Sequence, residues 1–315
     1  MTNKEPGLSV NDQPEKVIIP EILSYIVATE RNSSLFEEKN FDSRLEAIDF
    51  IGFHLIDQIE ALLPKTAQPD QLTALGNRAE KVKAALEQID INLFQRLRAS
   101  IRAKEYTAKE FSALISEYVN FNLDDEHQEE PGYDNLDNFI NGLSSFHPMP
   151  EQIKDLEPDM VYYQKTPARV IFDLVEKSHF SQDDVFFDLG SGLGQAAILV
   201  NLLAGIKVKG VEFDPAFCDY ARDCAAGLNL SDVTFINCDA RKVDYSEGTT
   251  FFMYTPFTGE IMREVLTILR KESFQKEIKI ITYGPCTEQL FLQDWLSCTT
   301  AKDDSIYKLA FFTSL

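Results

Sequence analysis

VFFDLGSGLGQ, residues 185–195, sets three glycines at alternate positions directly behind an apolar run. A short apolar run bounded by glycine reads as a buried strand, and the glycines let the main chain turn through left-handed angles with room for a ligand against the backbone. The helical pattern GQAAILVNLLA follows at once. A strand, a glycine turn and a helix N-terminus in succession place free N–H groups at the ligand crevice of a doubly wound sheet.

The flanking sequence keeps that grammar. TPARVIFDLVEKS reads as a helix, with Thr166 as N-cap and Pro167 at its first position. After the glycine turn, IKVKGVEF, DVTFIN, TTFFMYT and EIKIITYG read as strands. PAFCDYARDCAAG and GEIMREVLTILRKE read as helices between them. CTEQLFLQDWL, a short segment near Ser297 and SIYKLAFFTS complete the set with a helix and two strands. Strands alternating with helices predict an α/β fold, a doubly wound seven-stranded sheet covered on both faces.

The spacing of the loop narrows its ligand. Gly190, Gly192 and Gly194 give GxGxG, whereas the dinucleotide fingerprint is GxGxxG. Asp188, two residues before the first glycine, would repel a pyrophosphate and attract a cationic or donor-rich group. S-adenosylmethionine has such ends, an ammonium on its methionyl group and a cationic sulfonium. Glu212 ends the next strand about 20 residues on, where a carboxylate accepts hydrogen bonds from ribose hydroxyls. Phe213 is placed to cover an adenine face, and Asp239, beside Ala240 at the end of the third strand, to accept from the adenine amino group.

VFFDLGSGLGQ, KGVEFDP, INCDA and FFMYTPF resemble the successive motifs of class I S-adenosylmethionine-dependent methyltransferases, over roughly Tyr162 to Leu315. The first motif, with Ser191 and Gln195, is most similar to that of the non-SET histone lysine methyltransferases of the disruptor-of-telomeric-silencing type. In that family a threonine-bearing segment touches the cofactor, and YYQKTPARVIFDLV resembles it at Thr166. The resemblance implies a methyltransferase-type sheet behind a helical region and cofactor binding by Asp188, Gly190, Gly192, Glu212 and Asp239. Ser191, Gly194, Gln195, Phe213, Ala240 and Thr166 complete the expected cofactor set. The sequence departs from the family at the fourth strand, where Tyr254-Thr255-Pro256-Phe257 offers no side-chain amide to orient a target nitrogen. Histone methylation therefore does not follow from the motif.

Methyl transfer from a sulfonium is an in-line displacement that gains most from alignment in a dry pocket. The acceptor is expected near the ends of the fourth and fifth strands. Tyr254 and Thr255 are the candidate catalytic residues, for substrate orientation, and Tyr163, Pro256, Phe257 and Tyr283 the candidate pocket walls. No histidine falls in the predicted loops to serve as base, since His179 precedes the first strand and His147 lies in the connection. No metal site is expected: His54 has no second ligand four residues on, and the five cysteines lack CxxC spacing and read as reduced thiols.

The rest of the chain is read by pattern and charge. With 315 residues, two domains, or one domain with a large extension, are expected. A polar tail over 1–14 precedes an all-α N-terminal domain over 15–121, and an acidic linker with a connecting helix over 122–150 leads into the cofactor domain, 151–315. FDSRLEAIDFIGFHLIDQIEALLP reads as one amphipathic helix capped by Asp42 or Ser43, followed by helices over about 69–88 and 92–103 and by a capping box at Thr107 and Glu110. A net charge of −21 disfavours nucleic acid and leaves a protein side chain or a small molecule as methyl acceptor. With no secretory signal and no membrane-length apolar run, the cytoplasm is the expected location. The N-terminal helices have apolar faces that would suit a homodimer. The alternative function is a non-catalytic S-adenosylmethionine-binding protein whose helical domain engages a partner; a dinucleotide oxidoreductase is disfavoured by the glycine spacing.

Overall fold

The computed structural model describes residues 15–121, 132–144, 146–300 and 305–315. The tail expected over 1–14, and the acidic run over 122–131, lie outside them. The chain divides into two compact units, Met1–Leu93 and Phe94–Leu315.

The described part of the first unit is helical. It comprises α1 (Glu15–Arg31), α2 (Phe41–Asp49), a π-helical stretch over Phe50–Ile56, α3 (Asp57–Leu62) and α4 (Pro69–Arg102) as far as Leu93. Ile48, Ile51, Leu55 and Ile59 are buried at the spacing that the apolar stripe predicts, against Ile22, Leu72 and Leu86. The expected cap at Asp42 or Ser43 is not formed: α2 starts at Phe41 after Asn40, with no side-chain cap, and Asp42 lies in its first turn. The expected break near residue 90 is also absent. The stretch between the two predicted helices contains no proline or glycine, and Asp90 is engaged by Arg44, whose Nε donates to its Oδ1 at 2.8 Å. Arg44 is fully buried and also donates to the carbonyls of Glu37 and Glu38.

In the second unit, α5 (Ala108–Ile115) carries the predicted capping box of Thr107 and Glu110. It is followed by α6 (Asn135–Ser144) and α7 (Ala168–Ser178). The N-cap of α7 is Pro167 rather than Thr166, and the donor that opens the helix, Ala168 N–H, is met by Asp137 Oδ1 of α6 at 2.9 Å. Proline at the cap has no side-chain acceptor, so a carboxylate from another helix takes the role and leaves Thr166 outside the helix.

The remaining elements alternate as predicted: β1 (Val185–Leu189), α8 (Gln195–Ala204), β2 (Lys207–Glu212), α9 (Pro215–Gly227), β3 (Val233–Asn237), β4 (Thr250–Met253), α10 (Gly259–Ser273), β5 (Lys279–Thr282), α11 (Thr287–Phe291), β6 (Leu296–Cys298) and β7 (Ala310–Ser314). They form a seven-stranded sheet ordered β3-β2-β1-β4-β5-β7-β6, in which β7 runs antiparallel to β5 and β6. The order reverses between β1 and β4, so the carboxyl end of β1 lies at the topological switch point. Val185, Phe187 and Leu189 of β1 share a buried cluster with Phe251, Met253 and the α10 residues Ile261, Val265 and Leu269. Phe186 and Asp188 alternate to the other face of the sheet. Among the described residues no helix is long and apolar enough to cross a membrane.

Candidate active site

The glycine turn is held by the strand beside it. The amides of Gly190 and Ser191 both donate to Val211 O at 2.9 Å, folding the loop over the end of β2. Gly190, Gly192 and Gly194 have φ of +78°, +52° and +80°, angles that glycine adopts without strain. At Gly192 the need for glycine is also steric, since a Cβ there would lie 2.2 Å from the Tyr163 ring. The Gly192 amide donates to Glu212 Oε2 and the Asp214 amide to Glu212 Oε1, each at 2.7 Å. These bonds fix the carboxylate at the end of β2, and each oxygen retains a lone pair for a hydroxyl donor.

Beneath the loop sits an unsatisfied charge site. Asp188 is 4% exposed, and its Oδ2 has no hydrogen-bond partner among the described residues. Burial, with repulsion from Glu212, lifts its carboxyl to about 7 against the pull of the Ala197 amide of α8. Burial likewise raises Glu212 above the usual carboxylate range. Ser191 Oγ is a second buried polar atom without a partner. Two unpaired buried polar atoms at one glycine loop call for a ligand, and an ammonium beside Asp188 meets both the charge and the hydrogen bond. The residues present therefore fit S-adenosylmethionine, which when bound supplies the methyl group from its sulfonium. Asp239 differs from expectation: its carboxylate is clasped by Arg241 at 2.7 to 3.1 Å and held below the usual range chiefly by that contact. Both of its oxygens already share their charge with a guanidinium.

A strap over 152–166 crosses the carboxyl edge of the sheet, and the sequence reading missed how it is pinned. Asp214 caps α9 through Oδ1, which accepts from Ala216 and Phe217, while its Oδ2 accepts from the amides of Ile153 and Lys154 at 2.9 and 2.7 Å. Arg241 donates to Glu157 of the strap at 2.6 Å. Val161 N–H donates to Pro256 O, and Thr258 N–H to Asp159 O, tying the strap to the loop after β4. Lys154 Nζ lies 3.3 Å from the centroid of the Phe213 ring. The one signal in the sequence was the Asp-Pro pair at 214 and 215, which marks a helix start but not its second set of amides.

The cavity under this strap gathers most of the predicted residues. Gly190, Glu212, Phe213, Asp239 and Ala240 line it, as do Tyr163, Tyr254, Thr255, Pro256 and Phe257. An adjoining recess is lined by Asp188, Ser191, Thr166 and Gln195, with Tyr163, Gln164, Gly190 and Tyr254 shared between the two. Gly192 and Gly194 shape the loop without lining either, and Tyr283 lies behind Tyr254, 2% exposed, with ring centroids 5.0 Å apart. Thr255 has φ of +41°, a strained angle for a β-branched residue, and its Oγ1 accepts from the Cys286 amide at 3.3 Å. That bond turns its hydroxyl toward the loop after β5, so of the two candidate orienting residues Tyr254, which borders both cavity and recess, is the better placed. The five cysteines are free thiols, and among the described residues no group of three or more His, Cys, Asp or Glu is placed to hold a metal ion.

Solved structures that resemble this chain include an RNA methyltransferase from Salinibacter ruber in complex with S-adenosylhomocysteine, 21% identical, covering 48% of this chain and 92% of its own with a TM-score of 0.38. Another is the precorrin-6y C5,15-methyltransferase from Geobacter metallireducens, 16% identical over 50% of this chain and 94% of its own, with a TM-score of 0.37. No curated protein matches the sequence. Residues 145–278 match the family model described as histone methylation protein DOT1, so the part of the chain that holds the glycine loop, Glu212 and Asp239 resembles the methyltransferases of that family.

Proposed function

We propose that the chain transfers the methyl group of S-adenosylmethionine to a side chain of a basic protein. The observation that carries the protein acceptor is the match of residues 145–278 to a family described by protein methylation, over the whole span from the strap to the start of β5. The charge supports it, because a chain of net charge −21 attracts a cationic polypeptide and repels a phosphate backbone. In this reading Asp188 receives the methionyl ammonium, Glu212 the ribose hydroxyls, and Phe213 an adenine face. Tyr254 orients the acceptor, with Pro256 and Phe257 closing the wall behind it.

The test is transfer of label from methyl-labelled S-adenosylmethionine, offered in parallel to core histones, to a cell lysate separated into protein and small-molecule fractions, and to total RNA. Label is expected in protein, and in basic protein first. Dominant labelling of RNA would overturn the acceptor assignment, and S-adenosylmethionine bound but never consumed would return the chain to a binding role.

A further inference from the structure

The recess beside the glycine loop holds one cation that the cofactor assignments above leave unused. Among the described residues that line the cavity and this recess, Lys165 is the only lysine or arginine. It shares the recess with Asp188, Thr166 and Gln195. Its Nζ donates to Asn141 Oδ1 of α6, which also accepts from Gln195 Nε2 at 3.3 Å. One amide oxygen thus holds two donors at the mouth of α8, and an ammonium with three N–H bonds keeps two of them to give. The backbone of Lys165 is fixed as well, since its carbonyl accepts from the Tyr133 hydroxyl at 2.6 Å.

The methionyl end of S-adenosylmethionine is an α-amino acid, with an ammonium and a carboxylate on one carbon. A buried acid alone would bind the first and repel the second. We propose that Lys165 receives the α-carboxylate of the cofactor, with Asn141 and Gln195 setting its position, so that the recess binds the amino-acid zwitterion as a unit through Asp188 and Lys165. The inference rests on the S-adenosylmethionine reading of the site. Burial lowers the Lys165 ammonium from its usual range and Asp137 opposes the shift, so a bound carboxylate would restore the charge that burial disfavours.

The test compares S-adenosylmethionine with its decarboxylated form, which keeps the amine and the sulfonium and lacks only the carboxylate, by calorimetric titration of the full chain and of Lys165→Met. The unmodified chain is expected to prefer the carboxylated ligand. Lys165→Met should raise the Kd of S-adenosylmethionine about tenfold or more, the usual weight of a charge-assisted hydrogen bond, and change that of the decarboxylated ligand by less than about twofold. Retained binding of the decarboxylated ligand also shows that the variant folds. Equal weakening of both ligands would make Lys165 a support of the strap and overturn the assignment, as would no weakening of either. An unmodified chain that binds both equally tightly overturns this inference alone, whereas one that binds neither overturns the cofactor reading with it.

Discussion

Asp188 at the end of β1 and Glu212 at the end of the adjacent parallel β2 place two carboxyls on one edge of the sheet, and the repulsion of Glu212 adds to burial in lifting Asp188 from 3.8 to about 7. The pair is costly to the empty protein and suited to a cationic ligand, so its energetics should be visible as pH dependence.

A carboxyl raised in the native state keeps its proton after the unfolded chain has lost it. Between about pH 4 and pH 7 the native state then binds more protons, and stability falls as pH rises, by up to about 1.4 kcal/mol per pH unit for one such group. Asp188→Asn should flatten that slope in urea melts at pH 5, 6, 7 and 8 and raise stability at pH 8, with Glu212 supplying what slope remains. Binding of S-adenosylmethionine at pH 6 should release a proton, seen by calorimetry in buffers of different ionisation enthalpy and lost in Asp188→Asn. An identical slope in both proteins would show that Asp188 ionises normally.

Gly192→Ala tests the shape of the loop. The new Cβ meets the Tyr163 ring at 2.2 Å from a backbone with φ of +52°, so Tyr163 must leave its place over the loop. A loss of about 1–3 kcal/mol is expected from strain and overpacking, together with at least tenfold weaker S-adenosylhomocysteine binding. Gly132→Ala, with nothing within 4 Å of the added Cβ, is the control. Binding by Gly192→Ala at the level of the control would remove Tyr163 and the loop from the site.

Asp214→Ala removes one side chain with two duties. Four amides lose their acceptor, two at the start of α9 and two in the strap. About 2–3 kcal/mol of stability should go, more than the roughly 1 kcal/mol of an ordinary helix cap. Amide exchange read by mass spectrometry should quicken over 152–164 as well as at 216–217. Faster exchange at α9 alone would show that the strap is held by Arg241 and the loop after β4 without Asp214.

These effects mark where the sequence was readable. The sheet was legible because its strands are short β-prone segments closed by turn signals, and the cavity because Asp188, the glycines and Glu212 fall at the carboxyl ends of β1 and β2. The strap was not, because its contacts join residues some 60 to 100 positions apart, as from Ile153 to Asp214 and from Asp159 to Glu260. No periodicity encodes a backbone amide seeking a distant carboxylate. Thr166 looked like a helix cap because Asp137, the group that takes that role, lies 31 residues upstream of Ala168 on another helix. Tyr283 looked like a pocket wall because strand ends give no sign of which ring lies in front, and Tyr254 does.

The same limit governs the helical unit, where Arg44, a charged residue outside the apolar stripe, is fully buried. Its guanidinium is spent on Asp90 and on the carbonyls of Glu37 and Glu38, so it holds the turn before α2 against the middle of α4. Arg44→Met removes every donor and leaves the Asp90 carboxyl, already raised by burial, without its partner. A loss of about 3–5 kcal/mol is expected in chemical denaturation, the cost of an uncompensated buried charge. Arg44→Met combined with Asp90→Leu should recover much of it, because the lone carboxyl is then gone and only the bonds from Arg44 to the Leu35, Glu37 and Glu38 carbonyls stay lost. A double variant no more stable than Arg44→Met would assign the cost to those carbonyls, and so to the turn rather than to the ion pair.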